Sequence, residues 1–227
     1  MVIVNWCPRT LVVKGQPAKA THLLNFEPVK LSSLLSKDTV YARCPAFIDY
    51  TKNTFAVLAP FDIDIKISHI DGQCNVDIGS FNQLFFDDFF VLRKDGTMSF
   101  APSLVFTSEE PVIVESLPLM MMTTELSKKV THVVGSFDIS RWIRPVEWAF
   151  ILNEDTTLNI KRGDPLFCVR FVTPDNDIVK LERFYPDTFF EDIHASCVQA
   201  KLVQKGMSLK KMYEMAEPFL KLWRKKK

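Results

Sequence analysis

Residues 138–172 constrain the fold most. Three apolar or alternating runs, 146–152, 157–160 and 166–172, are separated by two polar breaks, Asn153-Glu154-Asp155 and Lys161-Arg162-Gly163-Asp164. Short runs bounded by turn formers at this spacing predict successive strands arranged as a meander. In the last run Phe167, Val169 and Phe171 alternate with Cys168 and Arg170, which sets the first three on one buried face. Gly163-Asp164-Pro165 fixes where that strand starts, because Gly takes φ > 0 and Pro has no N–H to give to a ladder.

The preceding chain extends the pattern. Strands are predicted at 2–4, 11–13, 22–26, 40–44, 54–58, 103–106, 112–115, 128–134 and 178–183, with a hairpin at 89–100 turning on Lys94-Asp95-Gly96. Ile63, Ile65 and Ile67 alternate with Asp62, Asp64 and Lys66, the mark of a strand with one wet face. The most aromatic window, residues 81–90, is assigned to the core, with Asp87-Asp88 looping into water. At Asp187 the period changes. Asp187 caps a helix whose apolar positions are Phe190, Ile193, His194, Cys197, Val198 and Leu202, and Gly206 stops it. Ser208 caps a second helix with the stripe Met212, Met215, Ala216, Phe219 and Trp223, and Pro218 is expected to kink it. The expected fold is mostly β: a sandwich or jelly-roll-like domain over residues 1–186, followed by a C-terminal helical hairpin over residues 187–227.

Composition removes several function classes. The net charge of +1 gives no global field toward nucleic acid, an anionic membrane or an acidic partner, so no nucleic-acid partner is assigned. No apolar run approaches the roughly 18 residues of a spanning helix, and the first residues lack a basic stretch followed by an apolar one, so neither a membrane partner nor export is expected. Five cysteines, an odd number without a C-x-x-C pair, are expected as free, mostly buried thiols in a reducing compartment. The four histidines are scattered as well, and neither a metal nor a cofactor is assigned.

The strongest candidate site is the stretch 141–148. Arg141, Arg144 and Glu147 are interleaved with Trp142 and Trp148, and guanidinium groups beside indole rings can hold carboxylates, phosphates or stacked bases. The competing reading is an intradomain Arg–Glu pair packed on Trp. Asp62 and Asp64, at i and i+2 of a strand, face one side and can hold a hard cation or simply line a solvated face. Leu119-Met120-Met121-Met122 reads as packing rather than as a soft binding surface. The terminal basic run from Lys221 reads as solvated. Met212, Met215, Phe219 and Trp223 form a stripe that must dock, either on the chain's own first tail helix and sheet or on a protein partner or second copy. A P-loop, a G-x-G-x-x-G fingerprint and a G-x-S-x-G elbow are absent, so motifs assign no reaction.

The landmarks Ala42-Arg43-Cys44-Pro45-Ala46, Ala59-Pro60-Phe61-Asp62-Ile63, Arg141-Trp142-Ile143-Arg144-Pro145-Val146-Glu147 and Gly163-Asp164-Pro165-Leu166 follow in order. Over residues 40–184 the chain thereby resembles uncharacterised proteins of tailed bacteriophages and is distantly similar to a bacterial family of unknown function. Locally, residues 158–169 look like the strand, Gly-Asp turn and strand near the end of trimeric dUTPase-type nucleotide hydrolases. The Pro-Arg-Ser-Gly and Gly-x-Ile-Asp motifs of those enzymes are absent, and Gly135-Ser136-Phe137-Asp138 is the nearest approach to the second. The first resemblance implies a non-enzymatic structural or protein-interaction protein, a virion component or host-factor binder found in the host cytoplasm or the particle. The second implies the alternative, a nucleotide or small-molecule enzyme with Asp62, Asp138 or Glu147 as acid–base groups.

Overall fold

The computed structural model of the 227-residue chain describes residues 1–8, 12–13, 16–17, 27–36, 38, 40–70, 73–77, 90–93, 96–122, 124–152, 155–203 and 206–226. The strands are β1 (Val2–Pro8), β2 (Val12–Val13), β3 (Gln16–Pro17), β4 (Val29–Lys30), β5 (Thr54–Leu58), β6 (Ile63–Ile70), β7 (Gln73–Asp77) and β8 (Phe90–Leu92). They continue with β9 (Met98–Thr107), β10 (Ile113–Leu117), β11 (Val130–His132), β12 (Gly135–Asp138), β13 (Pro145–Leu152), β14 (Thr156–Ile160), β15 (Pro165–Val172) and β16 (Val179–Arg183). The helices are α1 (Leu31–Leu34), α2 (Pro45–Thr51), α3 (Glu125–Lys129), α4 (Thr188–Val203) and α5 (Leu209–Lys226).

The fold is mostly β, with several sheets and a C-terminal helix pair, as expected. One sheet has the order β11-β13-β9-β1-β16, with β8 also on β9; a second has the order β12-β10-β15-β5-β4; a third is β14-β6-β7, and β2 pairs with β3. The two larger sheets meet through aromatic side chains: Phe106 of β9 lies edge-on to Phe171 of β15 at 5.1 Å. Trp6, Trp142 and Trp148 are among the largest fully buried side chains. Because β15 is central in its sheet, Leu166 and Cys168 are buried as well as Phe167, Val169 and Phe171. The wet face of β6 is as the alternation implied, with Ile63, Ile65 and Ile67 buried and Asp64 and Lys66 exposed.

Three expectations are corrected. The runs within 138–172 do form β13, β14 and β15, but these join three different sheets and do not make a meander. Side-chain period specifies a strand and its buried face, whereas the partner is chosen by packing between distant segments. The strand expected at 40–44 is a 3-10 turn, Val40–Arg43, leading into α2, because Pro45 sits at the first helical turn with Cys44 extended before it. The strand expected at 128–134 is shortened by α3. The Ser127 N–H donates to Thr124 Oγ1 and the Thr124 N–H donates to Ser127 Oγ, both at 3.0 Å, a reciprocal cap that commits this stretch to a helical turn. The hairpin at 89–100 is present in β8 and β9, with Gly96 at φ +79°. The readings of 22–26 and 81–89, with Asp87-Asp88, lie outside the described residues.

Among the described thiols Cys7, Cys168 and Cys197 are buried and Cys44 is exposed. Burial pushes Cys7 up to about 12 and Cys197 up to about 11, so their thiolate is scarce at neutral pH. In a Cys74→Ser background, a thiol reagent at pH 8 should label one cysteine of the native protein quickly and the other three only on denaturation. Cys44→Ser should abolish the fast phase; fast native labelling of Cys7 would contradict this burial.

Candidate functional site

The link between β12 and β13 is a tight turn built on Asp138. Its Oδ1 accepts the Ser140 N–H at 2.8 Å and the Ser140 hydroxyl at 2.6 Å, and its carbonyl accepts the Trp142 N–H at 3.1 Å. A chain turning this sharply sends neighbouring side chains to different places. Arg141 turns to α5, where it donates to Glu217 at 3.2 Å and lies 4.9 Å from the centre of the Tyr213 ring. Trp142 is buried in the core. Arg144 lies over Phe137 at 5.2 Å and lines a polar cavity together with Glu147. The Arg141–Trp142–Arg144–Glu147 set therefore divides: Arg144 and Glu147 line one cavity, while Arg141 turns to the tail and Trp142 to the core. An intradomain Arg–Glu pair does exist, but with Glu217 of the tail instead of Glu147, and it stacks on Tyr213 instead of Trp.

The tail docks on its own domain. The Asp138 N–H donates to Tyr213 Oη at 2.8 Å. Arg224 donates to the carbonyls of Ser108 and Ser140. The Trp223 indole N–H donates to Asp187 Oδ2 at 3.2 Å, while Asp187 Oδ1 caps α4 by accepting the Phe190 N–H at 2.7 Å. Ser208 caps α5 from the Lys211 N–H at 3.4 Å, Gly206 takes φ +90°, and α5 runs unbroken through the exposed Pro218.

This geometry divides the docking stripe read from the sequence. Ala216, Leu220 and Trp223 are buried and Met212 and Tyr213 pack against the core, so Met212 and Trp223 are internal. Met215 and Phe219 are 41% and 57% exposed, and Leu222 joins them at 47%. The sequence shows one broad apolar arc, and only the inward contacts of Tyr213, Leu220 and Arg224 reveal which edge is buried. Between α4 and α5 lies an apolar groove of about 260 Å³, with Trp142, Ile193, Cys197 and Ala216 along its floor and Phe189, Asp192, Ser196, Met215 and Phe219 at its rim. Lys210, Lys211, Lys221, Lys225 and Lys226 are exposed along α5 against Glu214, and Lys226 lies 4.6 Å from the centre of the Phe189 ring.

The polar cavity, about 390 Å³, opens where the chain crosses from β11 to β12 through Val133 and Val134. Arg93 reaches it from the β8–β9 hairpin, Arg144 and Glu147 from the start of β13, and Ser116 and Ser136 from β10 and β12. Ser116 Oγ lies 2.9 Å from His132 Nε2. Burial pushes His132 down to about 4, only partly offset by the Ser116 backbone, and its Nδ1 is buried without a hydrogen-bond partner among the described residues. Among the described residues no carboxylate hydrogen-bonds the imidazole on its other side, as an orienting group would in a nucleophilic dyad. Arg93, Ser116 and His132 were not singled out from the sequence: they lie in separate runs, and pairing of β10 with β12, of β11 with β13, and of β9 with both β8 and β13 gathers them.

The remaining candidates are structural in their contacts. Asp62 Oδ1 accepts the Arg162 N–H at 2.8 Å and Oδ2 lies 3.6 Å from Lys161 Nζ; that N–H, then Lys161, holds its carboxyl below the usual range. Asp62 thus clamps β6 to the turn between β14 and β15, and Asp64 stays in water. In that turn Gly163 is at φ +89°, its N–H donates to the Ala59 carbonyl at 2.8 Å, and Asp164 Oδ2 accepts the Lys161 N–H at 2.8 Å. Met120 and Met122 are half-buried, whereas Met121 is exposed at φ 57°. Among the described residues no group of three metal-ligating side chains gathers, and no helix is long and apolar enough to cross a membrane. No family model, curated protein or solved structure matches this chain.

Proposed function

We propose that this chain is a non-enzymatic, phage-type protein-interaction protein, a virion component or host-factor binder, that holds an acidic amphipathic helix in the groove between α4 and α5. The observation that carries the reading is Phe219, 57% exposed at the rim of an apolar groove whose floor is part of the core. An apolar side chain in water next to a concave apolar surface is the arrangement that helix-in-groove recognition uses. The phage setting rests on the resemblance of the ordered landmarks to tailed-phage proteins.

Charge selects the occupant. Two copies of α5 packed antiparallel about Phe219 would bring Lys210 and Lys211 of one against Lys225 and Lys226 of the other, a repulsive arrangement. A helix with acidic flanks relieves the same lysines. A synthetic helix with leucines at i, i+3, i+4 and i+7 and glutamates flanking them should bind, by fluorescence anisotropy. Phe219→Asp should weaken that binding at least tenfold while leaving the melting temperature within a few degrees. Equal binding to Phe219→Asp, preference for a lysine-flanked version, association with anionic vesicles instead of the peptide, or dimerisation through this face would each overturn the assignment. Mass spectrometry of purified particles separates the virion role from the host-factor role.

A further inference from the structure

The polar cavity at the β11–β12 crossing is independent of the helix groove, and its chemistry is different. Among the described residues Arg144 makes one hydrogen bond, from Nε to the carbonyl of Pro145, and that bond is long at 3.4 Å. A guanidinium has five N–H donors, so its terminal nitrogens have no protein acceptor among the described residues. The ring of Phe137 beneath it, 5.2 Å from Cζ, restrains its position. Burial disfavours its charge, the charge of Arg93 does so too, and Glu147 acts in the opposite direction. Neither arginine comes within ion-pair distance of a carboxylate among the described residues. Arg93, Arg144 and Glu147 line a pocket that also presents the hydroxyls of Ser116 and Ser136 and the apolar wall of Val134.

We propose that this cavity binds a small ligand carrying an oxyanion, a carboxylate or a phosphate, on an apolar body, with Arg144 as the half-buried clamp and Arg93 as the exposed partner from the hairpin. Planar forks match such groups in bidentate fashion. The Ser116 hydroxyl has a role in it too. With His132 neutral, Ser116 can donate to Nε2 and still accept, or accept from Nε2 and donate to the ligand.

The test uses the intact chain and two defined probes. Thermal unfolding is followed with increasing sodium phosphate or sodium benzoate, each against sodium chloride of equal ionic strength. A saturable rise in melting temperature with either probe, absent with chloride, is expected, and the stronger of the two identifies whether the natural group is phosphate or carboxylate. Arg144→Gln should raise the apparent Kd at least tenfold, Arg93→Gln should raise it severalfold, and Arg141→Gln, which alters the Glu217 pair instead, should leave it unchanged. Arg93 is exposed, so Arg93→Gln is expected to fold even if Arg144→Gln does not, and it then decides alone. No stabilisation beyond that of chloride, or equal Kd values in wild type and Arg93→Gln, would overturn the site.

Discussion

Trp223→Ala should lower the unfolding free energy by about 3–5 kcal/mol, the range for truncating a large buried aromatic side chain. Trp223 is 3% exposed and packs on Phe190 with ring centres 4.8 Å apart, and on Phe184 at 6.2 Å. Removing it opens a cavity between α4, α5 and the end of β16 and leaves Asp187 Oδ2 without the indole N–H. Urea denaturation should show the fall as a shift in midpoint. Trp223→Phe keeps most of the packing and should cost much less, on the order of 1–2 kcal/mol. Phe219→Asp, on the same helix but at an exposed position, should change stability by roughly 0.5 kcal/mol or less. The contrast between the two sites is the point. If Trp223→Ala cost no more than Phe219→Asp, α5 would not be part of the core, and the groove beside it would have no fixed floor.

The same helix shows how far the sequence can be read. Its start at Ser208, its stop signal at Gly206 and the Asp187 cap are local chemistry, carried by residues within four positions of one another, and each is present. Which side of α5 faces inward depends on Tyr213 meeting Asp138, Glu217 meeting Arg141 and Arg224 meeting Ser108, contacts that span 75, 76 and 116 positions. No periodicity encodes those. The sheets divide in the same way. β5, β6, β13 and β15 follow from alternation and turn residues, but the parallel pairing of β1 with β16 joins Val2 to Val179 and is invisible locally. Arg144 was singled out as a guanidinium beside aromatic residues, and its aromatic neighbour proves to be Phe137 across the turn and not the adjacent Trp142. Arg93 has no signal in its own run; its place in the cavity is a consequence of the β8–β9 hairpin folding over β13.

Between pH 7.5 and pH 4 the native state should lose stability on the order of 3 kcal/mol through His132 alone, taking about 1.36 kcal/mol for each unit of depression. Burial holds the imidazole down to about 4, against an ordinary value of 6.5. Above 6.5 it is neutral in folded and unfolded chains alike, and its contribution is fully present. As the pH falls below 6.5 the unfolded chain takes up the proton first, the unfolded state binds more protons, and stability declines until the folded value is passed. The carboxylates held below their usual range, such as Asp62 and Glu217, also lose stability in acid, but their window opens only near pH 4.5 and extends downward. His132→Gln separates the two. Glutamine can still hydrogen-bond Ser116 Oγ, which lies 2.9 Å from the imidazole, and it does not titrate. Urea midpoints measured at half-unit steps should therefore converge: His132→Gln is the less stable protein at pH 7.5 if it packs less well, yet its stability should stay nearly flat to pH 5 while that of the wild type falls. Parallel curves over pH 6.5 to 5 would mean that His132 takes up its proton as readily in the folded protein as in the unfolded one, and the neutral Ser116–His132 pair beside the cavity would have to be abandoned.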